Sequence, residues 1–237
     1  MARKARPPQR RARVASGVAP QGTRSVRERI IDALMDLLAQ KPIDQIGSGE
    51  IAGRANLSLS ELRAGFGSKL AILAAHVKEI DRKVLAARDP DMAEESARER
   101  LFDVLMRRLE TLKPHREAVH SLLRSARRNP PLAMALNGLA VRSQQWMLTA
   151  AGINASGPLG MMRAQGLALL FASVLRTWVN DDDPGLARTM AALDRALARG
   201  QRVVGLMDDL CRVPSRICRL RSRRRRGSEN SEEATAA

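Results

Sequence analysis

The densest set of chemically capable side chains lies in ANLSLSELRAGFGSK, residues 55–69. Ser58, Ser60, Glu61 and Arg63 bring two hydroxyls, a carboxylate and a guanidinium onto one short segment. Hydroxyls and carboxylates can exchange hydrogen bonds with base edges, and a guanidinium can grip guanine O6 and N7 together. Lys69 follows at a helix start, where the helix dipole disfavours a cation unless a phosphate offsets it. With Ser48 upstream, these groups suit contact with a nucleic acid, not bond-breaking chemistry. The sequence shows no Ser-His-Asp or Cys-His set and no glycine-rich phosphate loop, so an enzyme is not expected. His76, His115 and His120 are scattered without an acidic partner at ligand spacing and read as surface or satisfied core. Asp181, Asp182 and Asp183 stand just before Pro184 and read as a helix cap, since adjacent residues cannot all face one ion. Cys211 and Cys218 fit no metal spacing and are too few for a disulfide scaffold. No metal and no cofactor is expected.

To present these groups, the chain must fold short helices around them. Ser25-Val26-Arg27-Glu28 has the capping-box pattern, and Ile30, Ile31, Leu34, Leu37 and Leu38 recur behind it at helical spacing until Pro42. A second helix fits Ser48 to Ala55, with Ile51, Ala52 and Ala55 inward. Asn56-Leu57-Ser58 forms a turn, and Asn tolerates the left-handed conformation it needs. Ser58 caps a third helix, Leu59 to Gly65, with Glu61 as its box partner; Leu62 and Phe66 pack it. Ser68 caps a long fourth helix. Two helices joined by a tight turn and braced by a first make a helix-turn-helix, which places the third helix in the major groove. Beyond Asp89-Pro90, helices are expected over 92–112, 115–127, 130–151, 157–180 and 184–199, separated by Pro and Gly breakers. Met134, Met147, Met161, Met162, Trp146, Phe171, Val174 and Leu175 are expected in the core. Met134, Trp146, Met162 and Phe171 are candidates to line a pocket for an unknown small apolar ligand, because thioethers adapt to varied shapes.

Composition supports an all-α protein: 44% of residues are hydrophobic, only 2% aromatic, and tyrosine is absent from the 237 residues. The net charge of +16 suggests an anionic partner, nucleic acid or an acidic membrane surface. Much of the excess sits at the ends. Arg3, Arg10, Arg11 and Arg13 belong to an acid-free stretch that reads as a flexible basic arm over 1–22 and a clamp on DNA. A second acid-free run over 212–226 suits DNA, RNA or anionic lipid. The expected division is 1–22 arm, 23–88 DNA-binding domain with the start of the linking helix, 89–200 helical ligand-binding and dimerisation domain, and 201–237 basic, largely disordered tail. The tail includes an amphipathic piece over 203–211. The N-terminus lacks the apolar segment of a secretory signal, and apolar runs look short of a membrane span, so a cytoplasmic protein is expected.

Residues 24–88 resemble the TetR family of bacterial transcriptional regulators. The resemblance rests on Ile51-Ala52, Ala55, the turn Asn56-Leu57-Ser58, Leu62, Phe66, Ser68-Lys69 and Ile72-Leu73, in order and spacing. It implies contact of the third helix with double-stranded DNA, a ligand-responsive repressor, and a homodimer formed through helices 157–180 and 184–199. Departures fall in the third helix: Arg63 stands where an aromatic that touches phosphate is usual, Gly65 where a His is, and Asn56 where the turn Gly is. A second segment, 177–197, is similar to the TetR-like lipid-binding proteins of ubiquinone biosynthesis, through Trp178, Asp181 to Asp183, Thr189 and Leu193-Asp194-Arg195. That resemblance implies an isoprenoid-binding accessory protein that no longer reads DNA, with anionic membrane contact by the tail.

Overall fold

Local capping sets the element borders. Ser25 starts α1 (Val26–Gln40) with a complete capping box: its Oγ accepts from Glu28 N–H at 3.2 Å, and its own N–H donates to the Glu28 carboxylate at 2.8 Å. A 3-10 turn at Ile43–Gln45 leads to α2 (Ser48–Ala55), and the turn at Asn56 to α3 (Leu59–Gly65). Ser68 accepts from Ala71 N–H at 3.1 Å and opens α4 (Lys69–Ala86). Then follow α5 (Ala97–Leu112), α6 (Arg116–Arg128), α7 (Pro130–Ala150), α8 (Gly157–Trp178) and α9, helical from 187 to 202. The computed structural model describes residues 25–87 and 90–202, and among these no strand occurs. The 1–22 arm with Arg3, Arg10, Arg11 and Arg13, the 203–211 piece, both cysteines and the 212–226 run lie outside the described residues.

Two apolar cores form. The head core joins Ile30, Leu34 and Leu38 of α1, Ile51 and Ala55 of α2, Leu62 of α3, Phe66, and Ile72 and Leu73 of α4. Ala118 of α6 completes it, so the head is seated on the body. The body core takes Ile80 and Val84 from the far half of α4, with Leu105 and Leu109 of α5, Met147 of α7, Phe171 and Trp178 of α8, and Leu193 of α9. Helix α4 thus belongs to both. Burial of these side chains at about 1.5–3 kcal/mol each is the main driving force for both cores.

The body also buries charge. Arg108 of α5 pairs with Asp81 of α4, and Ser143 Oγ of α7 donates to the same Asp81 oxygen at 2.7 Å. Arg108 is 5% exposed and its guanidinium lies 5.7 Å from the centre of the Phe171 ring. Three helices are therefore pinned at one polar node, where a partner lost would leave a buried charge.

Several borders differ from the sequence expectation. Helix α5 starts at Ala97 and not at 92, because Ser96 and Glu99 form a capping box and Pro90–Ala93 is a 3-10 turn. Helix α9 starts at 187 and not at 184. Asp183 accepts from Gly185 N–H at 3.1 Å and Ala187 N–H at 3.0 Å, which holds Pro184 and Gly185 in a turn. Asp181 accepts from Thr189 N–H at 2.9 Å and Thr189 Oγ at 2.6 Å, so Asp181 and Asp183 are indeed a cap, whereas Asp182 is exposed beside Arg116. Helix α8, with a mean hydropathy of 1.3 over an 18-residue window, is long and apolar enough to cross a membrane by length and composition, a test that a packed core helix also passes. One face of α8 packs on the body through Leu167, Phe171, Val174 and Trp178.

Candidate nucleic-acid interface

The turn before α3 is made by backbone chemistry. Asn56 sits at φ 58° and ψ 50°, and Leu57 N–H reaches back to Ala52 O at 2.9 Å, the bond that closes a left-handed helix end. Arg29 of α1 donates to Ala55 O at 3.4 Å and ties that end to the brace. Helix α3 is then held by few side chains. Leu62 is its buried residue, Phe66 follows with the Arg27 guanidinium 4.7 Å from its ring centre, and Gly65 lets α3 approach α1. A Cβ at Gly65 would stand 3.3 Å from Ile30 Cδ1.

The polar groups on α3 are not equally free. Ser58 Oγ accepts from Glu61 N–H at 3.2 Å, while Ser58 N–H and Oγ donate to one Glu61 oxygen at 2.8 Å and 2.7 Å. The Ser58 amide, and then its hydroxyl, hold the Glu61 carboxyl below the usual carboxylate range. Both residues are therefore engaged in the capping box. Arg63 donates one bond to Gly67 O at 3.0 Å and keeps the rest of its exposed fork available. Ser60 is exposed at the outer face of α3. Ser48 is exposed at the first position of α2, where Gly47 N–H donates to Glu50 at 2.9 Å. The Gly47 amide, with the Lys41 side chain next in weight, lowers the Glu50 pKa.

Lys69 departs most from the sequence reading. Its ammonium donates to Ile43 O at 2.7 Å and Ile46 O at 2.9 Å, closing the carbonyls of the 3-10 turn. Those bonds offset the unfavourable helix-start position from within the chain, so no phosphate is needed for it. Leu59, which the sequence reading did not single out, opens α3 and is 59% exposed. A leucine on the first turn of a helix with a single buried side chain was the available signal.

The four candidate pocket residues are not brought together. Met134 is 76% exposed, Trp146 59% and Met162 51%, whereas Phe171 is buried against Arg108. The core expectation fails for Met134, Trp146, Met161 and Met162 because α7 and α8 turn other faces inward, through Val141, Met147 and Leu148 and through Ala164, Leu167 and Phe171. The structure instead shows a cavity of about 30 Å³ beside Val84, Val104 and Ala150. A groove of about 640 Å³ lies between the 3-10 turn at Ile43–Gln45 and α6. Among the described residues no His, Cys, Asp and Glu group suits a metal.

His76 is also not a satisfied core histidine. It is 7% exposed, its Nε2 has no hydrogen-bond partner, and its ring meets that of His115 edge-on at 4.7 Å. Burial first, then the nearby His115, Lys83 and Arg108, push its pKa down to about 3.

The residues of the second resemblance build a corner. Trp178 is buried with Arg116 5.9 Å from its ring centre, Asp181 caps α9 through Thr189, and Leu193 is in the body core. No protein-family model matches the chain, and no curated protein matches it. Among solved structures, a TetR transcriptional regulator from Nitrosomonas europaea is similar at 22% identity and a TM-score of 0.58, over 74% of this chain and 97% of that one. A TetR regulator from Rhodococcus is similar at 22% identity and 0.51, over 74% and 95%. A TetR-family regulator from Streptomyces coelicolor is similar at 16% identity and 0.50, over 77% and 86%. Head and body together thus have the fold of the TetR transcriptional regulators.

Proposed function

We propose that the chain is a DNA-binding transcriptional regulator of the TetR type that acts as a homodimer. The observation that carries this reading is the braced helix-turn-helix, with α3 fixed by Leu62 and Phe66 and its Leu59, Ser60 and Arg63 turned outward. Direct readout is sparse: Arg63 takes guanine or a phosphate, and Leu59 offers apolar contact to a thymine methyl. Affinity comes mostly from phosphates, through Arg3, Arg10, Arg11 and Arg13, and is steeply salt-dependent. The exposed Leu159, Met162 and Leu169 of α8, with Met190 of α9, form the face on which a second copy packs. A ligand in the body biases the spacing of the two heads and so represses or releases a promoter. Footprinting over the gene's own upstream region at stated salt tests this; uniform, sequence-independent protection refutes it.

A second reading, a TetR-fold lipid-binding accessory protein, draws on the exposed Trp146, Met134 and Met161 of α7 and α8. An isoprenoid copurifying in native mass spectrometry, with liposome binding lost on deletion of 201–237, supports it over the first.

A further inference from the structure

The largest cavity described is away from both the α3 surface and the body core. It is the groove of about 640 Å³ whose head-side wall is Pro42, Asp44 and Gln45 and whose body-side wall is the last two turns of α6. Ser121 Oγ, donating to Lys41 O at 3.3 Å, joins the two walls. Arg124, Arg127 and Arg128 all line the groove, with Ser125 between them. Positions 121, 124, 125 and 128 share one helix face by their spacing of three and four. The helix dipole accounts for cations in the last turn, but not for Arg124 one turn earlier or for a concave wall opposite them. None of the three guanidiniums has a carboxylate or carbonyl partner among the described residues, and Asp44 is the one acid lining the groove.

We infer that this groove binds a small phosphorylated molecule. Unpaired guanidiniums on a concave surface are the fork geometry that grips phosphate oxygens in pairs. Asp44 and Gln45, across the groove, accept from and donate to the hydroxyl or amine groups of the ligand's other end. Asp44 disfavours a continuous polyanion, and the volume lies in the range of small-molecule sites, so the occupant is a compact phosphate ester of nucleotide size and not a nucleic-acid backbone. One wall belongs to the head and the other to the body, so occupancy favours the head placement that keeps the walls at this separation.

Calorimetric titration of the full chain with ADP, and separately with pyrophosphate, at fixed ionic strength tests the inference. Saturable binding is expected, weakened roughly tenfold or more in Arg124→Ala/Arg128→Ala and unchanged in Arg142→Ala, an exposed α7 residue outside the groove. A melting scan confirms that both variants fold. Pyrophosphate binding without preference for ADP keeps the phosphate site and assigns it to the anion alone. The inference is overturned by no saturable binding of either probe, or by equal loss in Arg142→Ala. It is also overturned if a random-sequence duplex, and neither small probe, loses affinity in the double variant. The readout contains no operator, so its failure is separate from any failure of the DNA-binding reading.

Discussion

Replacing His76 by leucine should flatten the acid side of the stability curve. In the folded chain the ring is buried, Nε2 is unpartnered, and protonation is pushed down to about 3 from the ordinary 6.5. Folded His76 therefore stays neutral where the unfolded chain takes up a proton. The unfolded state binds more protons between these values, so stability falls as pH drops below about 6.5 and continues to fall towards 3. From an unfolded pKa of about 6.5, the loss between pH 7 and pH 5 is about 2 kcal/mol, a few degrees in melting temperature for a chain this size. His115 adds loss of the same sign. Its pKa is lowered chiefly by burial, against the upward pull of Asp32 and Asp36 from α1 and with the further downward pull of Lys83 from α4. Glu50 and Glu61, with lowered pKa values, also lose stabilisation on acidification, but only from the ordinary 4.5 downward, outside this window. Leucine removes the titrating group and an unpaired buried nitrogen, so it should be near neutral or stabilising at pH 7. The assay is urea denaturation of both proteins at pH 7, 6 and 5 and one protomer concentration. The midpoints should diverge as pH falls, with the variant ahead. Parallel curves would refute the reasoning, because they would mean that His76 protonates as readily folded as unfolded.

Other substitutions test other links. Asn56→Val should cost about 1–2 kcal/mol, because a β-branched residue is forced to positive φ, while Asn56→Gly should be close to neutral; denaturation midpoints distinguish them. Gly160→Ala places a Cβ 2.1 Å from the Ala155 carbonyl carbon, and relief by backbone movement should cost at least about 1–3 kcal/mol, read as a lowered melting temperature. Asp81→Ala leaves Arg108 buried without its partner and should destabilise by about 3–5 kcal/mol, whereas Asp81→Leu/Arg108→Met should recover most of that in the same denaturation series. Leu169→Glu puts a charge on the exposed face of α8 and should shift sedimentation from dimer to monomer with helical circular dichroism unchanged.

What the sequence carried best was whatever is closed by neighbours a few residues apart. The borders of α2 and α3, the left-handed Asn56, the Ser25 and Ser58 boxes and the buried stripe of α1 all rest on contacts between residues within about two turns, so spacing alone reveals them. The box at Ser96 was equally local, but the helix-favouring residues Met92 to Glu95 ahead of it hid where α5 begins. The polar groups of the interface were legible as types and not as free groups. Ser58 and Glu61 spend their atoms on each other, and Lys69 turns to carbonyls more than twenty residues earlier in the chain. Helix faces were harder still, since α7 and α8 are apolar almost all round. Only packing against α4, α5 and α9 selects Met147 and Phe171 for burial and leaves Trp146 and Met162 outside. The same holds for the arginines of α6, which become a concave wall only because the 3-10 turn at Ile43–Gln45 stands across from them. The sequence alone determined that these helices form and how α1, α3 and α4 are capped, because each of those caps is satisfied within its own segment. Tertiary structure decided which side chains remain free to bind, because a donor or an apolar face is free only when no distant part of the chain has already taken it.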